Sequence, residues 1–145
     1  MTEAGRPRRF NPYWELLGIS VVRWETGFAR LVMPVKKDLL QVYGLVHGGA
    51  IASLIDSSIA VALTSGLAPG ESASTVELKV NYLAPVLEGK IFADTRIVKR
   101  GKTIVVGITE VVDEEGRMVA IGTATYMILR NNSSTPERKE DSLNC

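Results

Sequence analysis

The chain has one cysteine, Cys145, and one histidine, His47, among 145 residues. A lone cysteine cannot form an intrachain disulfide, which suits a reducing compartment. A lone histidine leaves no His-based metal site within one chain, so no metal is expected. Net charge is missing as well: 17 Lys and Arg face 16 Asp and Glu. Without a strongly basic field, the main electrostatic route to nucleic acid is closed. No apolar run reaches the roughly 20 residues needed to span a bilayer. The basic start, residues 1–9, has no apolar stretch of the secretory kind. The expectation is a soluble, cytoplasmic chain with no nucleic-acid or membrane partner.

What is present divides into one domain and two tails. Residues 1–9 and 131–145 are polar and almost free of large apolar side chains. They cannot offset their ordering entropy and are expected to be disordered. Residues 10–130 form the domain. Asn11-Pro12 opens a short helix that Gly18 stops. Strands are expected over 19–25 and 28–35, joined as a hairpin at Thr26-Gly27. A long helix follows over 49–65, with Gly66 beyond it. Four more strands are expected over 74–83, 90–98, 103–112 and 117–129. In the first of these, Val76, Leu78, Val80 and Tyr82 alternate with Thr75, Glu77, Lys79 and Asn81. The Lys99-Arg100-Gly101-Lys102 and Asp113-Glu114-Glu115-Gly116 runs read as turns. One long apolar helix and about six antiparallel strands are buried most economically when a curved sheet wraps around the helix, an α+β architecture.

The long helix carries the chemistry. It is apolar nearly all round, which marks a core helix, yet Asp56 sits in its middle among Leu54, Ile55, Ile59 and Ala60. A carboxylate in such surroundings costs several kcal/mol unless it is paired or faces a wet cavity. The helix opens on His47-Gly48-Gly49, where unshielded backbone N–H groups attract an oxyanion. Gly48 and Asp56 are eight residues apart, about 12 Å along a helix axis, so no single carbonyl touches both. If both act on one group, two helices related by a two-fold axis must bring Gly48 of one subunit to Asp56 of the other.

The His47-Gly48-Gly49 start, Asp56 nine residues after the histidine, and the strand end Val80-Asn81-Tyr82-Leu83-Ala84-Pro85 resemble the hotdog-fold acyl-CoA thioesterases of the phenylacetate-degradation type. The resemblance covers residues 13–129. It implies a hotdog fold, hydrolysis of a thioester to a free acid and coenzyme A, and assembly into homodimers or homotetramers with shared sites. Coenzyme A enters as part of the substrate. Asp56 matches the catalytic carboxylate, acting as general base on water or as nucleophile. The Gly48 N–H would hold the oxyanion.

Four further residues or groups have two readings each. His47 shapes the oxyanion end or simply caps the helix. Gln41, six residues before it, where relatives often carry Asn or Gln, orients water or the carbonyl, or ties its loop. Thr75 matches a Ser or Thr near the carboxylate, or is a solvated strand residue. Tyr13, Trp14 and Leu17 line an acyl pocket or pack the core. The basic run is a fifth case: Lys99, Arg100, Gly101 and Lys102 meet the phosphates of coenzyme A or form a solvated tip. Gly49 and Asn81 are placed with them on the coenzyme A side. The competing functions are a hotdog hydratase or dehydratase, which would want a histidine paired with an acid, and a non-catalytic acyl-CoA-binding protein, which could dispense with Asp56.

Overall fold

A computed structural model describes residues 11–131. The expected tails over 1–9 and 131–145 lie outside the described residues, Asn131 apart. Asn11 caps helix α1 (Pro12–Leu17), its side chain accepting from Trp14 N–H, and Gly18 closes it in the left-handed region at φ 79°. Strands β1 (Ser20–Glu25) and β2 (Phe28–Pro34) follow as a hairpin. A single 3₁₀ turn (Lys37–Leu39) leads to the long helix α2 (Gly48–Thr64). Strands β3 (Glu71–Tyr82), β4 (Lys90–Arg100), β5 (Ile104–Asp113) and β6 (Met118–Arg130) complete the chain. All pair antiparallel in one sheet of order β1-β2-β4-β5-β6-β3. Helix α2 touches all six strands, the hotdog arrangement that the sequence predicts.

Burial of the helix holds the fold together. Leu54, Ile55 and Ile59 are fully buried against Leu31, Met33, Ile91, Val105 and Val111, each worth roughly 1.5–3 kcal/mol relative to exposure. Two strand glycines let the helix sit this close. A Cβ on Gly107 would lie 2.7 Å from Ile59 Cγ2, and one on Gly122 would lie 2.8 Å from Ile55 Cγ2. The buried hydroxyls under the helix are satisfied as a relay. Thr109 and Thr95 share a 2.5 Å hydrogen bond, Thr95 donates to Ser58 at 2.7 Å, and Ser58 donates to the Ala93 carbonyl at 3.4 Å.

Three expectations need correction. Strand β3 does not alternate throughout: the register with β6 shifts between Thr75 and Glu77, leaving Val76 as an extra, exposed residue. This bulge reverses parity, so Thr75 shares the helix-facing side with Leu78, Val80 and Tyr82 rather than with Glu77 and Lys79. Strand β4 runs to Arg100, so Lys99 and Arg100 belong to a strand and not to a turn. A second bulge at Val98 sends Arg100 inward, beneath the end of α2. Finally, α2 starts at Gly48 and gives way at Ser65 rather than at Gly66.

Candidate active site

Asp56 is half-buried rather than enclosed. The sheet covers most of α2 but leaves a stripe of Ala52, Ser53, Asp56, Ala60 and Thr64 partly open, which is the i, i+3/i+4 spacing of one helix face. These neighbours are small, so the carboxylate reaches a cavity of about 370 Å³ bounded by Tyr13, Trp14, Ser53, Ser57, Thr75 and Tyr126 among others. Leu17 packs in the core, whereas Tyr13 and Trp14 line this cavity. The Tyr13 hydroxyl hydrogen-bonds Ser53 Oγ at 2.7 Å, and Ser53 donates to the Gly49 carbonyl at 2.8 Å.

Two hydroxyls hold one oxygen of the carboxylate. Thr75, turned inward by the β3 bulge, donates to Asp56 Oδ1 at 2.9 Å. The Tyr126 hydroxyl lies 2.5 Å from the same oxygen and 2.8 Å from the Asp56 carbonyl. Burial, then the Asp56 carboxylate, push the Tyr126 phenol far above its ordinary range, so it stays protonated and acts as a donor. Among the described residues, Oδ2 has no hydrogen-bond partner. The carboxylate is thereby fixed in orientation with one oxygen open toward the cavity.

The glycine end of α2 opens elsewhere. Gly48 borders a second cavity of about 340 Å³, with Gln41, Leu45, Val46, Ile51 and Tyr82. Its N–H has no partner among the described residues, as the first turn of a helix permits. His47 is the N-cap: its Nδ1 accepts from Gly49 N–H at 2.8 Å, so capping is the one of its two readings that is visible in the fold. Gln41 Oε1 accepts from Tyr43 N–H, which ties the loop and leaves the amide nitrogen for other partners. Tyr82 donates to the Gly48 carbonyl at 2.7 Å.

Within one chain, then, Asp56 meets Thr75 and Tyr126, while Gly48 meets His47, Gln41 and Tyr82. The two cavities share no lining residue. The proposed coenzyme A set does not converge as one patch. Arg100 is engaged internally, donating to the carbonyls of Gly66 at 3.2 Å and Gly101 at 2.5 Å, and lying 3.7 Å from the Glu71 carboxylate. Lys99 and Lys102 are exposed and form no ion pair among the described residues. Asn81 is exposed beside a separate hollow of about 100 Å³ with Lys79 and Thr123. Gly49 stays at the helix start beside His47. Sequence reasoning passes over Tyr126 and takes Tyr82 only as part of a strand-end motif, without a role at the site. The signal for Tyr126 was there, since a tyrosine on an inward-facing strand position needs a partner for its hydroxyl.

Comparison with known proteins agrees with this fold. The model of the thioesterase superfamily matches residues 43–120. The chain is 28% identical to the medium/long-chain acyl-CoA thioesterase YigI of Salmonella typhimurium over 132 residues, covering 81% of this chain and 85% of that protein. A solved thioesterase family protein from Silicibacter pomeroyi is 31% identical with a TM-score of 0.78, covering 83% of this chain and 91% of the other. A variant of the phenylacetic acid degradation protein PaaI from Thermus thermophilus is 29% identical with a TM-score of 0.73, covering 81% and 98%. No helix among the described residues is long and apolar enough to cross a membrane. With the family model matching more than half of the chain, from α2 through β5, the chain belongs to the thioesterase superfamily.

Proposed function

We propose that this thioesterase-superfamily chain hydrolyses acyl-CoA thioesters to a free acid and coenzyme A, in a site shared between two subunits. The observation that carries the reading is Asp56, with one oxygen held by Thr75 and Tyr126 and the other open to a cavity. Oδ2 takes a proton from water as the oxygen attacks the thioester carbonyl. The oxyanion is held by the Gly48 N–H, a type of contact typically worth ~3 kcal/mol. Collapse expels the coenzyme A sulfur, which takes the proton back from Asp56. In the alternative course Oδ2 attacks the carbonyl itself and expels the coenzyme A thiolate; water then adds to the Asp56 carbonyl carbon of the mixed anhydride, releasing the acid, and its protons pass to the thiolate and the acid. Single turnover in oxygen-18 water separates the two, because only the second puts label into Asp56. Neither course needs a metal or a redox cofactor.

The way the two half-sites meet β3 supports a dimer. Thr75 touches Asp56 and Tyr82 touches Gly48, and these two strand residues are seven apart. Strand β3 ends the sheet with one edge unpaired among the described residues, and an unpaired edge is a template for another chain. Antiparallel pairing of two β3 strands about a two-fold at Lys79, with Val76 of each copy left out as the bulge residue, sets Thr75 of one copy opposite Tyr82 of the other. Asp56 of one subunit then faces Gly48 of the second. Gln41 lies on the Gly48 side, where its free amide nitrogen suits the carbonyl or the attacking water. Lys99 and Lys102 are the cations left for the phosphates of coenzyme A, with Gly49 and Asn81 as lesser contacts.

A hydratase reading would need an imidazole free to move a proton at carbon; here His47 Nδ1 is taken up as the helix cap, accepting from Gly49 N–H. The relative named a medium/long-chain acyl-CoA thioesterase supports the substrate class. A thiol-release assay over short, branched, medium-chain and aryl acyl-CoAs, run beside enoyl-CoA hydration, tests it. Release of free thiol without hydration is expected. Hydration without thiol release, or inertness toward every thioester, would overturn the reading.

A further inference from the structure

Two consecutive glycines at the start of a helix are free to adopt many backbone angles, a poor foundation for an N–H that must point at a developing charge. In this chain both sides of the peptide joining Gly48 to Gly49 are held by side chains. The Gly48 carbonyl accepts from the Tyr82 hydroxyl at 2.7 Å, and the Gly49 N–H donates to His47 Nδ1 at 2.8 Å. The preceding peptide, which carries the Gly48 N–H, is held through the His47 carbonyl by Ala50 N–H at 3.0 Å and Ile51 N–H at 3.4 Å. Of these contacts, only that of Tyr82 comes from outside the helix and its cap.

We infer that Tyr82 is a positioning residue for hydrolysis: with His47 it clamps the Gly48–Gly49 peptide so that the Gly48 N–H stays aimed into the cavity. The glycines themselves fit this clamp. A Cβ on Gly48 would lie 3.1 Å from the Tyr82 ring, and one on Gly49 would lie 3.0 Å from His47 Nδ1. Each side chain closes on its peptide because the facing residue has none. Tyr82 is half-exposed and adds little to the core, so its hydroxyl is poorly explained by packing. Its ring also borders the same cavity as Gly48, within reach of anything bound there.

The inference rests on the thioesterase reading, and the test separates the two. Tyr82→Phe keeps the ring and removes the donor. With the acyl-CoA that wild type turns over fastest, kcat should fall about tenfold with KM changed less than about twofold, short of the 10²–10³-fold that outright loss of an oxyanion donor costs. Amide hydrogen exchange at Gly49 should quicken while exchange in the middle of α2 does not, which local loosening predicts and global destabilisation does not. Unchanged kcat, or unchanged exchange at Gly49, would overturn the clamp. So would a fall in kcat that tracks a lowered Tm and uniformly faster exchange. If wild type were inert on every thioester, the functional reading would fall, and the exchange measurement alone would decide whether Tyr82 holds this peptide.

Discussion

The Tyr126 phenol on β6 lies 2.5 Å from the Asp56 carboxylate on α2, across 70 residues of sequence. With Thr75 it occupies one oxygen and leaves the other without a partner among the described residues, as the proposed role of Asp56 through a single atom requires.

Asp56→Asn tests that role. Its amide oxygen still accepts from Thr75 and Tyr126, so the fold should survive, with a urea midpoint close to that of wild type. Thioester hydrolysis should drop by about 10²–10⁴-fold, as loss of an acid–base group does. A variant with wild-type turnover would return Asp56 to a structural role.

Tyr126 gives a pH dependence whose sign is fixed. Burial, then the neighbouring carboxylate, raise the phenol's pKa in the folded state, whereas an unfolded tyrosine ionises near pH ~10. Above that pH the unfolded chain has lost a proton that the folded chain keeps, so stability falls as pH rises. Below it the contribution is fully present. Urea melts from about pH 8 to about pH 11 should show a steeper alkaline loss for wild type than for Tyr126→Phe. Parallel curves would mean that the phenol does not resist ionisation.

Much of this was legible in the sequence, and the failures share a cause. Helix α2, the strands and their approximate limits follow from periodicity and turn residues, because those signals are local. The inward turn of Thr75 was hidden because Val76, Leu78, Val80 and Tyr82 read as one unbroken alternation, although Val76 is the bulge residue. Asp56 looked enclosed because Ala52 and Ala60 count as apolar, yet they are too small to cover it and the sheet does not reach them. Arg100 looked free because its partners, Glu71 and the Gly66 carbonyl, are brought to it only by the fold.

Arg100 and the flanking lysines should therefore behave differently. Replacing Lys99 and Lys102 by Gln should raise KM for an acyl-CoA several-fold more than for the matching pantetheine thioester, which lacks the nucleotide phosphates. Arg100→Gln should act mainly on stability, since it detaches the end of β4 from Glu71 and from the turn after α2. Equal effects of the lysine changes on both substrates would remove the phosphate contact.

Subunit sharing is the strongest consequence of the spacing on α2. Gly48→Pro removes the N–H proposed to hold the oxyanion, and proline suits this position because His47 has extended backbone angles of φ −62° and ψ 135° and the first helical residue needs no N–H bond. The ring of Tyr82, 3.1 Å from where a Cβ would sit, must give slightly, so the Tm of this variant needs checking first. Alone, Gly48→Pro and Asp56→Asn should each be nearly inactive. Unfolded together in equal amounts and refolded, they should form heterodimers in about half of all pairs. Each heterodimer would hold one site with both defects and one site with none. Such a mixture should recover about a quarter of wild-type activity, rising with the heterodimer fraction measured by mass. If both residues of a site came from one chain, every site in the mixture would carry one of the two defects and nothing would be recovered. A mixture as inactive as its components, with heterodimers shown to be present, would overturn the shared site.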